Sequence, residues 1–75
     1  MQTSVEITYY PLKEEFIMPI RDFIDRLGAH EEIKIQVSGM GTQVFGEFDE
    51  VMDILKKEIK KSFELPHSIF LLKIV

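Results

Sequence analysis

The stretch that decides the fold is Lys34-Ile35-Gln36-Val37-Ser38-Gly39-Met40-Gly41-Thr42-Gln43-Val44-Phe45-Gly46-Glu47-Phe48-Asp49-Glu50-Val51. Its first residues, with Ile33 before them, alternate apolar and polar side chains, which predicts a half-buried strand. Glycines at 39 and 41 accept positive φ, which favours a three-residue hairpin turn before a second strand that begins at Thr42. Asp49 is predicted to cap a helix, with Glu50 in its first turn, where the helix dipole favours negative charge. The stretch therefore predicts a hairpin followed directly by a helix.

The residues before this stretch predict a strand and then a helix. Apolar and polar side chains alternate over about residues 4–10, and Pro11 ends the run because proline cannot donate to a ladder. A helical stripe with spacings of three and four follows at Phe16, Ile17, Ile20, Phe23, Ile24 and Leu27. Gly28 is placed as the C-cap of this helix. Pro19 leaves two starts open, one near Phe16 and one at the proline itself.

The residues after it predict a helix, a break and a last strand. The second helix is expected from about Asp49 to Phe63, and its inward side chains are Val51, Met52, Leu55, Ile59 and Phe63. Leu65-Pro66-His67 is the break. The closing run Ile69–Val75 is apolar on both faces except at Lys73.

The order strand, helix, strand, strand, helix, strand is the ferredoxin-like βαββαβ pattern of the α+β class. We expect one domain over residues 1–75, with an antiparallel sheet ordered 4-1-3-2 and both helices on one face. The inward side chains are predicted to be Val5, Ile7, Ile33, Ile35, Val37 and Val44. The open face is predicted to carry Glu6, Thr8, Tyr10, Lys34, Gln36, Ser38, Gln43, Phe45 and Glu47.

The last strand indicates a partner for this open face. Either Ile69, Leu71 and Val75 or Phe70, Leu72 and Ile74 must lie on it, and helices on one side of the sheet cannot bury both sets. The simplest partner is a second copy of the chain, in a homodimer or homotetramer that assembles through sheet faces.

Composition excludes several classes of protein. The chain has 75 residues, a net charge of −4 and 45% apolar residues, which argues for a globular domain and against a nucleic-acid binder. It has no cysteine, so it has neither a disulfide nor a thiolate metal site. No signal peptide or membrane-spanning run is visible, so we expect a cytoplasmic protein that does not enter a membrane.

No catalytic or metal-binding constellation is apparent. His30 and His67 lie in separate predicted loops, and neither has a second ligand at a suitable spacing. The paired carboxylates flank helices or loops, and Ser38 has no companion base. The Gly39-x-Gly41 pair joins two strands and lacks the third glycine of a dinucleotide motif. We therefore expect no enzyme activity, no cofactor and no metal ion.

Met40 is the unusual residue of the hairpin, because a turn tip normally prefers a polar side chain. An apolar tip indicates that a neighbouring subunit covers it or that a ligand lies beside it.

Three motifs together resemble the YkoF-like thiamine-binding family. They are Tyr10-Pro11-Leu12, Gly39-Met40-Gly41-Thr42 and Gly46-Glu47-Phe48-Asp49-Glu50-Val51. The resemblance covers nearly the whole chain. It implies a ferredoxin-like fold that assembles into dimers or tetramers through its sheets. It also implies binding of thiamine or its hydroxymethylpyrimidine moiety without catalysis.

The side chains of the open face and the hairpin suit such a ligand. An aminopyrimidine needs hydrogen-bond partners in its plane and an apolar or aromatic surface for stacking. The predicted ligand-binding residues are Glu6, Thr8, Tyr10, Ser38, Met40, Thr42, Gln43 and Phe45. The carboxylate of Glu6 or Glu47 would lie near the cationic thiazolium. The same residues also suit an interface between sheets, so a regulatory or protein-interaction module without a small-molecule ligand is the alternative.

Overall fold

A computed structural model of the chain describes residues 1–12 and 15–75. Its elements are β1 (Gln2–Pro11), α1 (Ile17–Gly28), β2 (Lys34–Ser38), β3 (Gly41–Glu47), α2 (Phe48–Ser62) and β4 (Ser68–Ile74). The four strands form one sheet in the order β2-β3-β1-β4, and every neighbouring pair is antiparallel. This is the predicted order read from the other edge, so the ferredoxin-like βαββαβ fold of the α+β class is confirmed.

The core lies between the sheet and the two helices, as the alternation in β1 predicted. Val5, Ile7 and Tyr9 are buried on the helix side of β1, and Val44 is buried beside them on β3. The helices contribute Phe23, Leu27, Val51, Ile54 and Leu55 to the same cluster. The inward placement of Val44 is thereby confirmed, whereas Val37 is half exposed at the β2 edge, where the helices do not cover it.

Helix α1 starts at the first of the two predicted positions. Phe16 is its N-cap and Ile17 its first residue, so Pro19 lies in the first turn, where its missing N–H costs little. The helix continues through Gly28, and Ala29 is the C-cap, one residue beyond the prediction. Phe16 and Ile17 are exposed, so the predicted stripe is wrong at its N-terminal end.

Helix α2 begins one residue early and is capped by a different side chain. The N-cap is Glu47, whose carboxylate accepts a hydrogen bond of 2.8 Å from the N–H of Asp49. The predicted cap Asp49 lies instead in the first turn. Phe63, which was predicted to lie inward, is exposed, and Ile54, which the predicted inward set left out, is buried.

The hairpin loop is one residue shorter than predicted. Ser38 pairs with Gly41, so the loop is Gly39-Met40 and β3 begins at Gly41 instead of Thr42. Gly41 has a φ of +136°, and a Cβ atom there would lie 2.7 Å from the carbonyl oxygen of Ile7. Both observations explain why this position holds glycine.

The pairing of β4 with β1 determines which side chains of β4 lie on each face of the sheet. Phe70, Leu72 and Ile74 of β4 pair with inward residues of β1 and therefore lie on the helix side. Ile69 and Leu71 lie on the open face, beside Tyr10 and Thr8.

Within the described residues, no helix is both long enough and apolar enough to cross a bilayer.

Candidate site between helix α1 and the hairpin

Two neighbouring residues of β3 point to opposite sides of the sheet. Thr42 pairs with Ile7 and Val37, faces the helices, and is only 6% exposed. Gln43 pairs with Glu6 and Gln36 on the open face and is exposed. The predicted ligand-binding residues are therefore divided between two surfaces, because adjacent strand residues alternate in direction.

Thr42 borders a cavity of about 230 Å³ between α1 and the β2–β3 hairpin. Its lining includes four of the predicted ligand-binding residues: Thr8, Ser38, Met40 and Thr42. The other lining residues are Ile7, Tyr9, Ile20, Phe23, Ile24, Val37, Gly39 and Gly41. The cavity is thus mainly apolar, and Thr42 presents a hydroxyl to it from the side of the sheet.

The Thr42 hydroxyl is the key polar group of this cavity. It makes no hydrogen bond within the described part of the chain, although the residue is almost fully buried. No fully enclosed side-chain oxygen or nitrogen of the described residues lacks a partner, so this hydroxyl retains some accessible surface. A hydroxyl that faces an apolar cavity without a protein partner can donate to or accept from a ligand.

The tip of the hairpin closes one end of the cavity. Ser38 Oγ accepts a hydrogen bond of 3.2 Å from the N–H of Met40, which ties the tip to the end of β2. The Met40 side chain is 84% exposed at the mouth. A flexible thioether in this position can fold over a ligand and fill irregular space.

Aromatic side chains form the inner wall. The rings of Tyr9 and Phe23 meet edge to face, with centroids 5.7 Å apart. The Tyr9 hydroxyl lies 3.1 Å from Ser68 Oγ, so its polar end is already hydrogen-bonded within the fold. The cavity therefore offers aromatic and aliphatic surface together with the neutral hydroxyl of Thr42.

The remaining predicted residues lie outside this cavity. Glu6 and Gln43 border a smaller hollow of about 110 Å³ on the open face, which also contacts Ser38, Met40 and Gly41. Phe45 and Glu47 lie farther along β3, where Glu47 caps α2. Tyr10 lies beside Ile69 on the open face. The structure therefore does not bring the eight predicted residues to one place.

Sequence reasoning missed a polar cluster between the two helices. Glu58 is buried and its carboxylate pairs with Arg26 at 2.9 Å and with His30 at 2.7 Å. Arg26 also donates to Ser62 Oγ at 2.6 Å and pairs with Asp22 at 3.0 Å. Burial by itself raises the pKa of Glu58, but the hydrogen bonds and charges of His30 and Arg26 outweigh it, so the pKa lies below its ordinary value. This cluster joins the helices and is separate from the cavity.

Solved structures support the fold and carry a clue to function. A Streptococcus pneumoniae protein has a TM-score of 0.90 and 29% identity to this chain, and the match covers 100% of this chain and 86% of that one. A Thermotoga maritima protein has a TM-score of 0.88 and 25% identity, with coverage of 99% and 82%. The name of the second assigns it provisionally to thiamine biosynthesis or salvage.

Another similar structure is less related in sequence. A domain of unknown function from Bacillus cereus has a TM-score of 0.75 and 19% identity, and covers 100% of this chain and 75% of that one. At that identity it shows only the fold. No protein-family model matches the chain, and no curated protein sequence matches it. Together the neighbours support the YkoF-like resemblance at the level of overall structure.

Proposed function

We propose that this chain is a non-catalytic binding protein for thiamine or its hydroxymethylpyrimidine moiety. The proposed site is the cavity between α1 and the hairpin. The observation that carries the proposal is Thr42, a residue only 6% exposed that borders a mainly apolar cavity and whose hydroxyl makes no hydrogen bond among the described residues. The name of the Thermotoga maritima neighbour supports the choice of ligand.

The size of the cavity favours a single ring. Sites for drug-sized ligands occupy roughly 300–1,000 Å³, whereas this cavity has about 230 Å³. The aminopyrimidine would enter with one face toward the aromatic wall, and the hydroxyl of Thr42 would meet its edge. The thiazolium of thiamine would remain outside the cavity. We therefore expect the pyrimidine alcohol alone to bind about as well as thiamine.

The lining also supports binding over catalysis. Among the described residues, no carboxylate, imidazole, amine or thiol borders the cavity. The one titratable side chain there is Tyr9, whose hydroxyl already pairs with Ser68. General acid–base or nucleophilic catalysis requires such groups within reach of the ligand.

We propose that the open face of the sheet is an interface with a second copy of the chain. Five large side chains on or beside this face are exposed: Tyr10, Phe45, Ile69, Leu71 and Val75. A contiguous apolar surface of this kind is typical of an interaction site. The same observation favours the second candidate function, a protein-interaction module without a small-molecule ligand.

Titration calorimetry with hydroxymethylpyrimidine and thiamine tests the ligand proposal. Thr42→Val keeps the shape of the side chain and removes the hydroxyl, so we expect the affinity for both ligands to fall by about 1–3 kcal/mol. Folding should remain intact, because the hydroxyl has no partner within the described residues. The matched control is Gln43→Ala on the next residue, which faces away from the cavity and should bind as the wild type does.

Two outcomes would contradict this site. If Gln43→Ala weakens binding and Thr42→Val does not, the ligand lies on the open face. If neither compound binds the wild-type chain, the interaction module becomes the better function.

A further inference from the structure

The exposed side of α1 carries a short pattern that is symmetrical about its own midpoint. Ile17, Arg21, Ile24 and Gly28 follow one another at spacings of four, three and four residues. These spacings place all four on one side of the helix, and they are the spacings found along the seam of paired helices. A shallow hollow of about 380 Å³ lies on this side, between Ile17, Ile20, Arg21, Ile24 and Asp25.

Apolar side chains on this side are left uncovered. Ile17 is 57% exposed, and Ile20 and Ile24 are only partly buried by the core. Val37, at the β2 edge, is also half exposed. The chain therefore has uncovered apolar surface here in addition to the open face of the sheet.

The glycine at the end of this pattern has no evident role inside the chain. Gly28 does not have a positive φ, so the backbone does not require glycine there. A Cβ atom would meet only Ile35 Cδ1, at an ordinary distance of 3.6 Å. A missing side chain on an exposed helix surface allows another helix to approach closely.

The charges beside the apolar positions complement each other across an antiparallel pair. Arg21 and Asp25 are exposed, and neither forms an ion pair among residues 1–12 and 15–75. Arg26, on another side of the same helix, is in contrast held by Asp22 and Glu58. In an antiparallel pair of identical helices centred between residues 22 and 23, Arg21 of each helix would lie near Asp25 of the other.

We propose that α1 packs antiparallel against α1 of a second copy of this chain. Ile17 of each copy lies over Gly28 of the other, and the aliphatic part of Arg21 packs on Ile24. The contact is isologous, so the same surface serves both copies. It is distinct from the open sheet face, and two such interfaces on one chain would join dimers into a larger assembly. The pairing does not require a bound ligand.

This contact is expected to be weak on its own. A single pair of twelve-residue helices buries less surface than the roughly 1,200–2,000 Å² of a stable interface. We therefore expect association through α1 to depend on protein concentration and on salt, since its ion pairs lie at the rim.

Disulfide trapping tests the geometry, because the chain has no native cysteine. Ile17→Cys and Gly28→Cys are prepared as separate single variants and oxidised alone and as a mixture. Positions 17 and 28 are eleven residues apart, about 16 Å along one helix, which is too far for a disulfide within one chain. In the antiparallel pair, position 17 of one copy is equally far from position 17 of the other, and the same holds for position 28, so neither single variant can cross-link through this contact. The mixture should therefore give covalent dimers that the single variants do not.

The rate of trapping separates a fixed contact from random collision. Thiols held together meet at an effective concentration on the order of millimolar, so the mixture should cross-link at least about tenfold faster than either variant alone at micromolar protein. Equal rates in all three samples, or no cross-linking in the mixture, would overturn the proposal. An absence of cross-linking in the mixture is the result expected if α1 binds a different protein or has no partner.

A charge exchange provides an independent test. Arg21→Asp alone and Asp25→Arg alone place like charges together and should lower association in sedimentation velocity. The double variant Arg21→Asp with Asp25→Arg restores opposite charges and should recover it. If the double variant associates no better than the single ones, the antiparallel register is wrong. Circular dichroism of all three variants shows whether the fold is intact.

Discussion

Gly41 is the residue whose identity depends most directly on the backbone. Its φ of +136° disfavours every other residue, and the carbonyl oxygen of Ile7 lies only 2.7 Å from where a Cβ atom would be. We expect Gly41→Val to lower the free energy of unfolding by about 1–3 kcal/mol, the usual cost of a strained backbone position. Chemical denaturation monitored by circular dichroism measures this.

The neighbouring glycine provides the control for that prediction. Gly39 does not have a positive φ, and a Cβ atom there has no neighbour within 4 Å. Gly39→Ala should therefore leave the denaturation midpoint nearly unchanged. If Gly41→Val has the same denaturation midpoint as the wild type, the turn can form without a positive φ at this position.

The hairpin also shows how far single residues could be predicted from sequence. The alternation that places Val44 inward requires Thr42 to face inward as well, so the direction of Thr42 followed from the pattern. Thr42 and Gln43 therefore lie on opposite faces of the sheet and cannot line one surface together. The cavity itself could not be foreseen, because it depends on how closely α1 approaches the hairpin.

At the level of elements, periodicity located both helices and all four strands, but not their ends. Capping decides those ends, and the predicted cap of α2, Asp49, lies inside the helix. Asp49 is the residue type favoured at an N-cap, yet the geometry at the end of β3 gives the position to Glu47. Ends of this kind depend on local backbone direction, which a pattern of side chains does not encode.

The contact between the two helices was also beyond sequence reasoning. Glu58 reaches Arg26 and His30, which lie 32 and 28 residues away in the chain. In the sequence Glu58 is one charged residue of a helix rich in lysine and glutamate. Only the packing of α1 on α2 makes it the partner of Arg26 and His30 and excludes it from water.

This contact predicts a stability that depends on pH. The folded-state pKa of Glu58 lies below its ordinary value, so its stabilisation is fully present above the ordinary pKa of an unfolded glutamate and is lost as pH falls through the lower folded-state pKa. Glu58→Gln should destabilise the protein at pH 7 by about 1–3 kcal/mol. It should also reduce the loss of stability on acidification, measured by thermal unfolding between pH 7 and pH 3.

An exposed carboxylate on the same helix serves as the control. Glu50 lies in the first turn of α2 and is exposed, so Glu50→Gln should change stability little and leave the acid dependence intact. If Glu58→Gln and the wild type lose stability equally between pH 7 and pH 3, Glu58 is not the group responsible.

On the scale of the whole molecule, the sheet has one covered and one uncovered face. The covered face was predictable, because two amphipathic helices supply one layer of apolar side chains. The strand β4 sits at the sheet edge with apolar residues on both faces, and the sequence left open which set lies on the open side. The register with β1 assigns Leu71 to the open face and Leu72 to the helix side.

This assignment allows a sharp test of the proposed interface. Leu71 is 57% exposed in the single chain, so Leu71→Glu should not unfold it. If a second copy covers the open face, the same substitution buries a charge at a cost of several kcal/mol and should break the contact through this face while the chain stays folded. Leu72→Glu, on the other side of the same strand, should leave the association through the open face in place. Analytical ultracentrifugation at micromolar concentration distinguishes these results, and a wild-type chain that sediments only as a monomer would reject the interface.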